Sequence, residues 1–240
     1  MPAWLIVNRI ASFHLIREYP RRQPLVLVRL ATDRRRLRGI DGLLFWRLLG
    51  TGRGDNTAAG ADLRRSALFA VWRDEAALET FLASHPIARR WTGAEEVWQV
   101  RLRSLGGHGS WNGFAVPEGL VEGRPGGPVA ILTRAEVRLR SWRRFAKAAR
   151  EVNKAARHAP GLVRVVGVGE APIGRLGTFS VWDSLPTAHA FAEHDSAHHN
   201  VVARTRSDDW FGEELFVRFE PYASTGTWNG RDPLAEDQDR

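Results

Sequence analysis

Apolar runs and stretches of helical period follow one another along the chain in a cycle that is completed twice. Residues 68–81 read LFAVWRDEAALETF and residues 178–191 read TFSVWDSLPTAHAF, so Trp72 and Phe81 recur at the same spacing as Trp182 and Phe191. Other landmarks recur in the same order. LLGTG at 48–52 is echoed by VVGVG at 165–169, WNG at 111–113 by WNG at 228–230, and PLVL at 24–27 by PVAI at 128–131. Landmarks repeated in order predict an internal duplication.

Each half predicts one set of elements. Residues 25–30 and 129–133 read as short apolar strands, and helices are expected over 37–49 and 139–158. The glycine-bearing stretch 48–54 reads as the stop of the first of these helices, whereas 163–169 reads as a strand. The signature strands cover 67–72 and 178–182. Asp74 and Asp183 follow each tryptophan and are placed to cap helices over 75–91 and 187–206. Strands over 96–103 and 214–220 close the halves; in the second, Leu215, Val217 and Phe219 alternate with Phe216, Arg218 and Glu220. The order β-α-β-β-α-β, twice over, predicts the α+β class. Two ferredoxin-like halves, 1–122 and 123–240, would form a dimeric α+β barrel arrangement within one chain. The Gly/Pro-rich stretch 117–128 is the linker, and 231–240 reads as a flexible polar tail.

Composition narrows the class. The 240 residues are 43% hydrophobic and include ten tryptophans, enough for a sizeable core. No cysteine is present, which excludes disulfides, thiolate chemistry and cysteine metal sites. No apolar run approaches the roughly 18 residues of a membrane span, and the N-terminus lacks the signal-peptide pattern. A cytoplasmic location, free or at a membrane surface, is the expectation. The net charge of +8 favours anionic partners. It concentrates on 139–158, where Trp142, Phe145, Ala149, Val152 and Ala156 form an apolar stripe and Arg140, Arg143, Arg144, Lys147, Arg150, Lys154 and Arg157 fill the rest. That pattern suits a helix packed on a sheet with a solvated basic face, or one docked to a membrane surface or an acidic redox protein. Nucleic acid is not expected: the RNA-recognition signature is absent from 176–182, and a closed barrel would bury the sheet faces that stack on bases.

The second copy differs from the first in its histidines. His189, His194, His198 and His199 make up half of the eight in the chain. His194 and His198 have the i, i+4 spacing of a zinc pair, but Asp195 stands where a zinc hydrolase carries Glu. A single axial haem ligand and a polar helix face are the other readings. GTGRG at 50–54 lacks the phosphate-loop pattern and reads as a helix stop and turn.

Several of these segments together resemble the spheroidene monooxygenase family: GPVAILTRAEVR, VGVGEAP, TFSVWDS, DDWFGEELFVRF and TWNGRDPL in the second half, FWRLLGTGRG, FAVWRDE and ARRW in the first. The resemblance spans roughly residues 45–234. It implies a haem b oxygenase that takes electrons from ferredoxin. It also implies that a carotenoid methylene is hydroxylated twice to a gem-diol, which loses water to give a ketone. His198 then falls at the axial ligand, with His194 and His199 as alternatives, and Arg134 and Arg218 at catalytic positions that hold propionates or polarise dioxygen. Trp182, Trp210 and Phe211 are expected to pack the haem or the core. Residues 31–38 and 56–65 depart from the family pattern, which leaves the substrate open. The rivals are another enzyme on the same barrel, whether a cofactor-independent oxygenase, a haem peroxidase or a dehydratase, and a non-catalytic module for an anionic ligand.

Overall fold

Eight antiparallel strands close into a barrel, and helices lie against its outer surface. The computed structural model describes residues 8–53, 56–156, 158–171, 174–194 and 210–235. The first half contributes β1 (Ile10–Arg17), α1 (Gln23–Arg36), β2 (Leu43–Arg53), β3 (Asn56–Trp72), α2 (Glu75–Ser84), α3 (Pro86–Trp91) and β4 (Glu96–Gly109). The second contributes β5 (Val129–Val137), α4 (Trp142–Ala156), β6 (Leu162–Gly169), β7 (Arg175–Trp182), α5 (Leu185–His194) and β8 (Phe211–Gly226). Around the barrel the order is β1-β3-β2-β6-β7-β5-β8-β4, closing back on β1. In each half the last strand lies beside the first, and the third separates the first from the second. The halves meet along β2–β6 and β4–β8.

The first half departs from its expected elements at its start. Residues 25–30 are not a strand but part of α1: Val26, Leu30, Asp33 and Leu37 fall on one stripe at helical spacing and face the sheet. The helix expected over 37–49 is replaced by a turn, with Gly39 and Gly42 at φ 75° and 76°, followed by β2. GTGRG therefore lies in and beyond a strand end; Gly50 and Thr51 pair with β6. The opening strand is β1, IASFHLIR, so its counterpart in the repeat is β5 and PLVL is not the partner of PVAI. The helix over 75–91 breaks at His85-Pro86, where His85 adopts ψ 135° and accepts a bond from the Ile87 amide. Asp74 caps α2, accepting from the Ala77 amide at 2.8 Å. Asp183 does not cap α5; it accepts from the Thr187 hydroxyl, while Ser184 Oγ receives the Thr187 amide at 3.4 Å. The expected helix over 187–206 is described only to His194.

Inward-facing residues of all eight strands fill the barrel. Phe13 and Phe179, from opposite halves, stack at 3.9 Å with their planes 1° apart. Trp98, Phe69 and Phe219 surround them. The two Trp-Asn-Gly turns plug the ends: Trp111 and Trp228 are each 1% exposed. Each turn is anchored by a glutamate that opens the last strand of the other half. Glu213 of β8 accepts from the amides of Asn112 and Gly113, both at 2.9 Å, and from Ser110 Oγ at 2.7 Å. Glu96 of β4 accepts from the Gly230 amide at 2.7 Å and Thr227 Oγ1 at 3.1 Å. Asn112 and Asn229 take left-handed φ values of 50° and 56°, a conformation that asparagine tolerates. The two copies are thus latched reciprocally.

Candidate functional site

The helix-facing layer of the second half is where the copies diverge. Its wall is apolar: Val129, Ile131, Trp182 and Ala188 are buried, with Leu185, Phe191 and Phe216 packed against them. Trp182 donates from Nε1 to Ser180 Oγ at 3.0 Å, and its ring lies 5.4 Å from that of Phe191. Arg218 projects into this layer from β8, opposite Ile131 of β5.

The equivalent residue in the first half is Arg101, opposite Ser12 of β1. Ser12 and Ile131 correspond because Ile10 and Val129 pair with the signature residues Trp72 and Trp182. Arg101 is held by two carboxylates of α2, Glu75 and Glu79. In α5, Leu185 and His189 stand the same distances beyond the signature tryptophan. Arg218 accordingly meets His189 Nε2 at 3.0 Å, and its Nε is buried without a hydrogen-bond partner. A guanidinium with no carboxylate partner among the described residues, at the edge of an apolar layer, can donate charge-assisted bonds to a carboxylate or to a polarised oxygen.

The other expected residues fall as follows. Trp182 lines the layer just described. Trp210 is buried with its Nε1 unpartnered, and Phe211 packs edge-on against Phe145 of α4 at 5.9 Å. Arg134 is not brought together with Arg218. It shares the inward face of β5 with Ala130 and Leu132, while Arg218 pairs with the outward Ile131. At the barrel end Arg134 contacts Glu213, Glu136 at 3.1 Å and Glu170 at 3.5 Å, and lies 5.9 Å from the Trp111 ring centre. Glu170 also receives Trp111 Nε1 at 3.0 Å and Arg47 at 3.0 Å. Burial works against ionising Glu213, yet the Gly113 amide, Ser110, the Asn112 amide and Arg134 outweigh it and hold its carboxyl at about 2. His198, His199 and the side chain of His194 lie outside the described residues. Among the described residues no three His, Cys, Asp or Glu side chains gather as a metal site.

Two features escaped the sequence reading. His14, fully buried in the first half's layer, binds Ser12 Oγ at 2.8 Å, while its Nδ1 has no partner. Burial, with Arg101 adding to it, pushes its pKa down to about 3, so the ring stays neutral. The only signal was two polar residues in outward slots of an apolar strand. The second feature is a cavity of about 610 Å³ at the β2–β6 seam. Leu27, Leu30 and Ala31 of α1 form one wall and residues 60–63 of β3 another, with Arg34, Asp62, Arg65 and Glu170 as charged groups. Its volume lies within the roughly 300–1,000 Å³ of small-molecule sites, and both stretches that depart from the family pattern contribute to it.

A spheroidene monooxygenase of Rhodobacter capsulatus is 31% identical to this chain over 215 residues, covering 88% of the chain and 89% of that protein. A second, from Rubrivivax gelatinosus, is 36% identical over 197 residues, covering 80% and 74%. The chain belongs to the spheroidene monooxygenase family. No family model matches it. Among solved structures, an aldoxime dehydratase superposes with a TM-score of 0.56 at 12% identity, covering 92% of the chain and 83% of that protein, which is a likeness of fold. Membership makes the chain a monooxygenase-like, oxidoreductase-type enzyme on a closed antiparallel barrel. No helix among the described residues is long and apolar enough to cross a membrane.

Proposed function

We propose that this chain is a monooxygenase that transfers oxygen from O2 to an apolar molecule, on a barrel built from two fused ferredoxin-like units. The observation that carries the reading is the match along 89% of a spheroidene monooxygenase. A carotenoid is the substrate class which that relationship suggests.

Two sources of oxygen chemistry suit this barrel, each supported by a different observation. The second half's layer fits a haem b. Ile131, Trp182, Phe191 and Phe216 supply an apolar wall, and Arg218, which has no carboxylate partner among the described residues, is a cation of the kind that holds a propionate. His198, with His194 and His199 close by in sequence, would supply the axial nitrogen. A haem bound there would bring O2 activation, with electrons from a ferredoxin-type donor, while the chain's own residues would exclude water and set the pocket's polarity.

The cavity at the seam supports the other route, an oxygenase without a bound metal. Among the described residues its walls carry no imidazole; of their carboxylates, Glu170 is already paired with Arg47, whereas Asp62 lies near Arg65, whose Nε is buried without a partner. Such a pair suits a substrate with an acidic C–H or phenolic proton, which Asp62 would accept while Arg65 balances the resulting anion. The electron-rich substrate would then itself reduce O2.

An absorption spectrum of the chain expressed with haem available separates the two routes. The haem route predicts a Soret band that moves when carbon monoxide is added to the reduced protein, and that is lost in His198→Ala with the far-ultraviolet circular dichroism unchanged. The metal-free route predicts a colourless protein that consumes O2 with an acidic aromatic substrate, and loses this in Asp62→Asn. A colourless chain that consumes no O2 with either substrate class would overturn the monooxygenase reading and favour a binding module.

A further inference from the structure

The outer face of α1 has an unusual division. Its inner stripe is committed to the sheet, and Asp33 on that stripe is tied by Arg90 and Arg36. On the outer face of its first two turns, Leu25, Leu27 and Val28 are 45%, 54% and 57% exposed, with Pro24 and Ala31 beside them also exposed. Tyr19, just ahead of the helix, is exposed too, with Arg21 over its ring at 5.4 Å. Single exposed leucines are ordinary, but several adjoining apolar side chains on one helix face are not. At the other end of the same face, Arg34, Arg35 and Arg38 are exposed, and none pairs with a carboxylate among the described residues. The helix is therefore apolar towards its N-terminus and cationic towards its C-terminus on the side that faces away from the protein.

We propose that α1 docks the protein on an anionic lipid bilayer, with Leu25, Leu27 and Val28 entering the headgroup boundary and Arg34, Arg35 and Arg38 gripping lipid phosphates. Three observations favour lipid over other occupants. The cationic end complements an anionic surface. An aromatic residue bearing a hydroxyl sits at the edge of the patch, as at membrane interfaces. Leu27, Ala31 and Arg34 also line the mouth of the 610 Å³ cavity, so a bilayer seated on α1 lies against that opening. An apolar molecule dissolved in lipid would pass from bilayer to cavity without crossing water. The basic helix α4 is a weaker anchor: Phe145 of its apolar stripe is already engaged, against Trp142 at 6.1 Å and Phe211.

Vesicle flotation of the full chain tests this without any turnover, so it stands or fails apart from the proposed function. Vesicles of equal parts phosphatidylglycerol and phosphatidylcholine should carry the protein upward, and vesicles of phosphatidylcholine alone should carry much less. Leu27→Glu with Val28→Glu should abolish flotation while leaving thermal unfolding unchanged, since both side chains are exposed. Replacing Arg34, Arg35 and Arg38 by Gln should weaken binding about fivefold for each arginine removed. Absence of flotation on anionic vesicles, or flotation indifferent to both sets of substitutions, overturns the proposal. So does a dimer in sedimentation equilibrium that Leu27→Glu and Val28→Glu dissociate, in a protein that ignores vesicles; that result would assign the face to a second copy of the chain.

Discussion

Arg101 and Arg218 occupy equivalent register positions on β4 and β8, and their surroundings differ. Arg101 closes a cluster with Glu75 and Glu79, and Tyr222 donates to Glu75 at 2.8 Å. Replacing it with Met strands those groups and should lower the melting temperature by several degrees, as loss of about 1 kcal/mol does in a chain of this size. Arg218→Met should leave the melting temperature nearly unchanged, since no carboxylate among the described residues loses its partner, but should abolish turnover. Equal losses of stability in the two variants would mean that Arg218 serves structure as Arg101 does. Acid stability should report two other residues. The carboxyl of Glu213 is held at about 2 against an ordinary 4.5, so its contribution is complete above about pH 4.5 and drains away as the pH falls towards 2. His14 is held neutral down to about 3, whereas the unfolded chain protonates near 6.5; its contribution is complete above pH 6.5 and is lost between there and pH 3. Denaturant midpoints from pH 7 to 3 should fall in both windows, and Glu213→Gln should remove only the lower part of that fall.

At the level of elements, the second half was readable because β5 to β7 are short apolar runs of strand length bounded by turns and β8 alternates. The first half misled because Pro24-Leu25-Val26-Leu27 is a continuous apolar run, which periodicity cannot assign between strand and helix. Two of its apolar residues face solvent, so the usual hydrophobic-in, polar-out contrast that marks a helix is missing. In β1 the polar outward residues Ser12 and His14 are buried against each other, and such satisfaction has no sequence signature. The β4–β8 seam rests on backbone approach, which glycine alone permits at Gly109. A Cβ there would lie 2.1 Å from the Glu214 carbonyl oxygen, at φ 87°. Gly109→Ala should therefore cost well over the roughly 1 kcal/mol of a strained turn. Hydrogen exchange in this variant should quicken first at the amides of 107–110 and 214–217; protection unchanged there would show that the seam does not depend on the close contact.

For the whole molecule, the repeated landmarks and the α+β class were legible and the way the two halves of the chain are joined was not. Trp-Asn-Gly announced itself twice, but nothing in the sequence says that each turn closes on the other half's glutamate, or that its tryptophan plugs a barrel end. The interior is filled, with Phe13 stacked on Phe179, whereas the outer layer of the second half and the β2–β6 seam hold the candidate site residues and the cavity. Phe179→Ala should cost about 3–5 kcal/mol in equilibrium unfolding, because the barrel centre has no spare side chain to collapse into the gap. The candidate histidines were visible in the sequence, and so was the departure of 31–38 and 56–65, but only folding shows that both stretches line one cavity. Oxygen transfer from O2 to an apolar molecule can be read by incubating the protein with spheroidene, haem and a reducing ferredoxin system under 18O2, then weighing the extracted product by mass spectrometry. Product carrying 18O from the gas is expected. Recovery of unlabelled, unchanged polyene, with the same result for an acidic aromatic substrate in the absence of haem, would show that the chain transfers no oxygen.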